Sequence, residues 1–359
     1  MAAWNNDVLS GFETHPLEGH RYNGIFAPHA GVYAELNGEE TELVADTEAD
    51  VSATDPVSIT GTVSQSMTDL LYERLIAFDS EGTPRPQLAT DWEQLDETTW
   101  RFELRSGVQF HDEAAGELTA EDVRTTLERH ENTARDADVS DWYAGMEIID
   151  DHEIEIILQE PYSPFEAAIS NVCIVPENAV DPIDGGDAPI DLSETPVGTG
   201  PYRYEEHQED DRWRMTRFDD HWYTGEEYDT DVPATPPIET ITLEVITEGS
   251  SRHNALETGD IDLSVAVPSA SVTEFEAHDS VAVGRRTSSF REFVLFPLAT
   301  KPFNNRKVRQ GITSLIDRDR IIDDVYNTVG EAAVTPIAPM LEPYASPEFR
   351  ARIEDEYLL

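Results

Sequence analysis

LLYERLIAFDSEGTPRPQLATDWEQLDETTWRFELRSGVQFHDEAAGELTAEDV, residues 70–123, is the stretch whose reading decides the fold. Within it Trp100, Phe102 and Leu104 alternate with Arg101, Glu103 and Arg105, the period of two expected of a half-buried strand. Val108 and Phe110 continue the apolar set beyond Gly107. Thr119 stands three residues before Asp122, a capping-box start with Asp in the usual Glu or Gln position, and Ala120, Val123 and Leu127 supply the stripe that the new helix buries. At the near end Met67, Leu70, Leu71, Arg74 and Leu75 recur at helical spacing, so a helix is expected over 65–76, with Ile76–Phe78 closing it before a turn at Ser80–Pro84. Helix, turn, strand and helix thus alternate, which places the chain in the mixed α/β class.

Toward the N-terminus, Leu43–Ala45 reads as a short strand running into VSATDPVSITG (51–61), a loop marked by Pro56 and Gly61. Residues 1–40 show no sustained period and read as an irregular arm. Toward the C-terminus, Met146–Ile149 and Ile154–Leu158 form a hairpin around Asp150–His152, and Asp181–Pro196 is loop by composition. Strands follow at Tyr202–Tyr204, at Trp213–Phe218 and across Ile241, Leu243 and Val245. A helix over Ser251–Thr258 stops at Gly259, where a left-handed cap is expected, and a strand starts at Ile261 and Leu263. Val294–Phe296 reads as a strand, and Arg306–Ile316 and Arg320–Tyr326 as helices. No repeat of 20–50 residues interrupts this order.

Charge narrows the partners. The 359 residues carry 74 Asp plus Glu against 24 Lys plus Arg, a formal net charge of −50. Such a surface repels phosphate backbones and anionic lipid headgroups, which argues against nucleic-acid binding and electrostatic membrane docking. With 39% hydrophobic residues and six Trp the chain still has enough apolar mass to fold, so the acid belongs on its outside. Only Lys301 and Lys307 are lysines. Acidity with lysine nearly absent points to salt adaptation, because the screening length falls to about 3 Å near 1 M salt and a carboxylate-rich skin stays hydrated. The single cysteine, Cys173, lies in an apolar stretch and reads as a buried inert thiol. No run is long and apolar enough to span a membrane, and Met1–Asn23 has no basic stretch followed by an apolar one.

Catalytic spacing is not found. The His residues form no HExxH or His-x-His pair, no nucleophile elbow or Walker sequence occurs, and His111, Asp112 and Glu113 read as a solvated turn. TPVGTGPY (195–202) lacks the lysine of a phosphate loop and reads as a tight chain reversal. Asp317, Arg318 and Asp319 read as turn and cap residues between two helices. Trp92 and Trp100 are assigned to the core. No cofactor or metal site is expected.

Residues 70–123 resemble the signature region of the extracellular solute-binding proteins of family 5, the dipeptide, oligopeptide and nickel receptors of ABC importers. The YE-x-L, the P-x-LA-x-x-W, the LR-x-GV-x-FHD and the LTAEDV are all present in order. TPVGTGPYRY with DDHWYTG (219–225), SSRHNALETGDIDL (251–263, with Ser250) and KPFNNRKVRQGITSLIDRDRII (301–322) are similar to three further family blocks, so the resemblance covers about residues 41–345. Two departures stand out: FPLATKPF lacks the Asn-Thr pair usual before the PF block, and Gly311 replaces a helix-favouring Ala.

The resemblance implies an α/β, two-lobed periplasmic-binding-protein-like fold of class II with an extra subdomain in the first lobe. On that pattern 1–40 is the arm, 41–66 and 176–285 the first lobe, 67–175 the inserted signature subdomain and 286–359 the start of a second lobe. Family members are longer, so the chain reads as a haloarchaeal-like receptor whose second lobe is incomplete, without visible signal peptide or lipid-anchor Cys. The implied function is capture of a peptide or similar small solute between lobes outside the cell and delivery to ABC permease subunits, without bond chemistry. Thr54, Asp55, Thr60, Thr199 and Gly200 are the expected pocket residues, with Trp142 or Tyr143 as an aromatic wall. The alternatives are a non-functional or split-gene fragment of such a receptor, and a hydrolase using a pair of carboxylates.

Overall fold

The computed structural model describes residues 2–5, 41–59, 61–78, 83–179, 190–223, 236, 238–264, 267, 269–278, 281–284, 294–328, 330, 332, 348 and 351–352. The strands are β1 (Ala2–Asn5), β2 (Glu42–Thr47), β3 (Ile76–Phe78), β4 (Pro84–Pro86), β5 (Ala89–Gln94), β6 (Thr99–Leu104), β7 (Tyr143–Asp150), β8 (Glu153–Leu158), β9 (Tyr202–Gln208), β10 (Arg212–Arg217), β11 (Thr240–Val245), β12 (Leu263–Ser264) and β13 (Val281–Gly284). The helices are α1 (Thr62–Leu71), α2 (Ala120–Glu128), α3 (Ala137–Ser140), α4 (Phe165–Ile169), α5 (Gly249–Thr258), α6 (Val272–Glu276), α7 (Arg306–Thr313) and α8 (Arg318–Asp324).

Seven strands form a mixed sheet in the order β13-β1-β12-β2-β11-β10-β9. At its centre β2 runs parallel to both β11 and β12, with Leu43 opposite Ile241 and Ala45 opposite Leu263. Leu43 and Ala45 on one face and Asp46 on the other are buried, as a central parallel strand covered on both faces requires. Parallel neighbours need a long crossover. The one from β2 to β11 contains α1 and a second, antiparallel sheet of order β5-β6-β8-β7. In that sheet Phe102 and Leu104 turn inward while Glu103 is exposed, and Trp100 packs its half-buried ring on Phe165 at 5.1 Å. One continuous apolar core joins the two sheets, and a smaller one under α5 and α6 holds Leu256, Ile261, Phe275 and Val281.

The capping box at Thr119 forms as expected: its N–H donates to Asp122 Oδ2 at 2.7 Å and its hydroxyl at 3.0 Å. Gly259 takes the left-handed conformation at φ 77°, and Cys173 is buried and free. Other expectations change. Helix α1 ends at Leu71, and Tyr72 is extended at φ −122° and ψ 148°. The apolar spacing of Leu75 and Ile76 therefore serves the β3–β4 ribbon, since both are buried there as they would be on a helix. Val108 and Phe110 do not prolong β6, because Gly107 turns the chain at φ 79°. Val294–Phe296 is no strand, and Leu295 is 86% exposed. Ala2–Asn5, within the expected irregular arm, pairs between β12 and β13.

Candidate functional site

In open sheets with parallel strands, ligands bind beyond the strand carboxyl ends. Here β2, β11 and β12 end together, at Thr47, Val245 and Ser264. Just inside this rim the wholly buried Asp46 accepts the Ser264 hydroxyl at 2.6 Å and faces Arg252 Nε at 3.7 Å. Arg252 also donates Nη1 to the carbonyls of Ile246 and Thr247, which ties α5 to the end of β11. Past β2, Asp50 accepts from the Asp210 N–H at 2.9 Å, His207 Nε2 at 2.9 Å and the Val51 N–H at 2.7 Å. Its partial burial would raise the carboxyl, but these donors hold it below the ordinary aspartate value.

The loop that follows is anchored from several sides. The Thr54 hydroxyl donates to Leu192 O at 2.6 Å, and its carbonyl accepts the Tyr72 hydroxyl at 3.2 Å. Asp55 caps the short turn Pro56–Ser58 and pairs with Arg129 Nη2 at 2.6 Å. Tyr72 is fully buried, and burial together with the Asp55 charge pushes its phenol well above the usual range.

Behind the loop lies a buried polar node. Glu73, 1% exposed, accepts Thr199 Oγ1 at 2.9 Å, Trp222 Nε1 at 2.7 Å and His221 Nε2 at 3.3 Å. Burial would raise this carboxyl, yet the His221 contact and the indole and hydroxyl donors bring it below the ordinary value. Arg105 lies over the Trp222 ring at 4.0 Å from its centroid. Beside the node, His111 donates Nε2 to Gly200 O at 2.8 Å while its Nδ1 accepts the Gly198 N–H at 3.3 Å, a pairing that specifies the neutral Nε2–H tautomer. Burial lowers His111 to about 4.

The 198–200 turn rests directly on the end of α1. A Cβ at Gly198 would lie 2.1 Å from Leu71 O, and one at Gly200 2.3 Å from Leu70 O. Outside it, an open groove of about 400 Å³ runs between His111, Thr195, Pro196 and the β9 residues Arg203 and Glu205.

Of the expected pocket residues, Thr54 and Asp55 do stand in the loop beyond β2, and Tyr72 joins that loop to the 195–200 segment. Thr199 is buried on Glu73, and Gly200 is packed against the end of α1. Trp142 is core: 1% exposed, it donates Nε1 to Asp138 O at 2.6 Å and packs edge-on to Phe165. Tyr143 is half-buried at the start of β7, and burial pushes its phenol up to about 12. Thr60 lies outside the described residues. In the His111–Glu113 turn Asp112 caps the Ala114 N–H, as a turn residue should, but His111 is a structural clamp. Sequence reading missed Glu73, whose signal was a lone carboxylate inside the apolar run LLYERLIAF. Among the described residues no three His, Cys, Asp or Glu side chains group to hold a metal.

The node unites three separated motifs, YE, GTG and HWY, with FHD clamped beside it on the GTG turn. The model of the bacterial extracellular solute-binding proteins, family 5 Middle, matches residues 83–355. The chain belongs to this family. The dipeptide-binding protein of Escherichia coli K12 is 26% identical over 306 residues, 79% of this chain and 55% of that protein. A glutathione-binding protein GsiB of Pectobacterium atrosepticum is 25% identical over 316 residues, 86% of this chain and 59% of the relative. The chain therefore spans little more than half the length of these two relatives. Among solved structures, the DppA periplasmic binding protein of Helicobacter pylori, in complex with peptide STSA, shares the fold at TM-score 0.72 and 24% identity, over 88% of this chain and 65% of that one. NikZ of Campylobacter jejuni, in complex with Ni(L-His), does so at 0.64 and 19%, over 83% and 57%.

Proposed function

We propose that this chain is the substrate-binding component of an ABC importer, taking a di- or oligopeptide or similar small solute between two lobes and passing it to membrane permease subunits. The observation that carries the reading is the family match over 83–355, together with a polar rim at the carboxyl ends of β2, β11 and β12. The ligands named for these relatives, dipeptide, glutathione, peptide STSA and Ni(L-His), are all small solutes, which supports a solute over a macromolecule. In this reading 41–66 and 176–285 build the first lobe, 67–175 is inserted into it, and 286–359 begins the second. Thr54 and Asp55 are the residues assigned to the ligand side of the first lobe.

A role without catalysis accords with the site chemistry. Glu73, His111 and Asp50 are each saturated by internal hydrogen bonds, so none is free to move a proton to or from a substrate. The charge of −50 fits a salt-adapted protein. Calorimetric titration with dipeptides and mixed oligopeptides in molar KCl tests the reading. Saturable heat at micromolar affinity is expected, and its absence at high protein concentration overturns the proposal.

A further inference from the structure

Residues 50–54, between the end of β2 and the turn Pro56–Ser58, make no backbone-to-backbone hydrogen bond among the described residues. Side chains set the path of this segment instead. The Val51 N–H donates to Asp50 Oδ1 at 2.7 Å and the Ser52 N–H to Ser64 Oγ at 3.1 Å, while Thr54 is held by Leu192 and Tyr72. Asp50 is the tie at the entry. It reaches across 157 residues to His207 and across 160 to the N–H of Asp210.

Both distant donors stand on a braced base. His207 Nε2 lies 2.9 and 3.1 Å from the two Asp50 oxygens, and its ring packs on Trp213 at 4.9 Å, which restrains the direction of the nitrogen. Trp213 in turn is 2% exposed and belongs to the main core. Asp210, at the tip between β9 and β10, holds the left-handed conformation at φ 58°, uncommon for a residue with a side chain. The hairpin therefore offers two donors of fixed direction to a single carboxylate. We propose that Asp50 and His207 are positioning residues that hold segment 50–55 in its solute-binding shape. The inference rests on the reading of this chain as a solute receptor with Thr54 and Asp55 on the ligand side. The pair acts through the segment, since a segment fixed beforehand avoids the ordering entropy lost when a loose one binds.

The test uses the full chain in molar KCl, with the mixed oligopeptide pool as probe. His207→Ala is expected to weaken the apparent affinity about tenfold or more, and His207→Gln, which keeps an N–H donor toward Asp50, to recover most of it. His207→Ala added to Asp50→Ala should bring no further loss, because the two residues act through one contact. Hydrogen exchange needs no solute: the Val51 and Asp210 amides should exchange about tenfold faster in His207→Ala, with the β2 amides paired to β11 at their wild-type rate. Should His207→Ala not fold, Asp50→Asn, which keeps one acceptor oxygen, must weaken affinity with the β2 amides intact. Wild-type affinity in the folded variant, no recovery in His207→Gln, or unchanged exchange at Val51 and Asp210 would each overturn the assignment. No heat from the wild-type chain, together with faster exchange in His207→Ala, would overturn the receptor reading and support the tie.

Discussion

Trp222 donates its indole N–H to the Glu73 carboxylate at 2.7 Å, across 149 residues of sequence. The contact closes the long β2-to-β11 crossover onto α1, and it is one of three donors on a carboxylate that water does not reach. Glu73→Ala leaves all three donors unpaired and is expected to lower stability by about 3–5 kcal/mol in guanidinium unfolding. Because this carboxyl titrates below its ordinary 4.5 when folded, its stabilisation is complete above about pH 4.5 and is lost as pH falls through the folded value. Glu73→Gln should lack that acid-dependent loss; an unchanged acid limb in the variant would refute the assignment.

His111 obeys the same linkage with a histidine's sign. Its folded value of about 4 lies below the ordinary 6.5, so the unfolded chain takes up the proton first and stability declines as pH falls from about 6.5 toward 4. Nitrogen-15 spectra of the ring should show the neutral Nε2–H tautomer down to pH 5. In His111→Asn the decline over this interval should flatten.

Gly198 and Gly200 are needed for close approach, not for unusual backbone angles, since neither has a positive φ. Gly198→Ala and Gly200→Ala each drive a methyl into a backbone carbonyl of α1 that cannot retreat. Each substitution should cost about 3 kcal/mol or more. Thermal unfolding of either variant at wild-type temperature would show that the 195–202 segment sits elsewhere.

Trp142 separates core from cleft. Trp142→Ala empties a buried site beside Phe165 and should destabilise by about 3–5 kcal/mol. Trp142→Phe, which folds with a smaller loss, should leave peptide affinity unchanged in calorimetry. A marked loss of affinity in the folded Phe variant would return the residue to the ligand wall.

Periodicity was a faithful guide where one face of an element is buried and the other wet. Phe102 and Leu104 inward with Glu103 outward, the capping box at Thr119 and the left-handed Gly259 all follow from local rules that tertiary structure had no reason to override. It failed at Leu75 and Ile76, because a residue buried on a helix and one buried in a ribbon look alike in a short apolar run. It failed again at Val294–Phe296, where an apolar run stays exposed.

The candidate site was less legible. Trp142, Thr199 and Gly200 were expected at the ligand because aromatics and Gly-rich turns line many pockets, but such residues also fill cores and permit close packing. Only partners distant in sequence distinguish the two uses: Phe165 for Trp142, Glu73 for Thr199, and the α1 carbonyls for Gly200.

By itself the sequence determined the family, the mixed α/β class and the acid-rich surface, since motif order, hydrophobic period and net charge are properties of the linear chain. Tertiary structure decided which motif residues are structural. Burial and hydrogen-bond saturation arise only when segments some 150 residues apart meet, and at Glu73 that meeting turns three motifs into one buried node.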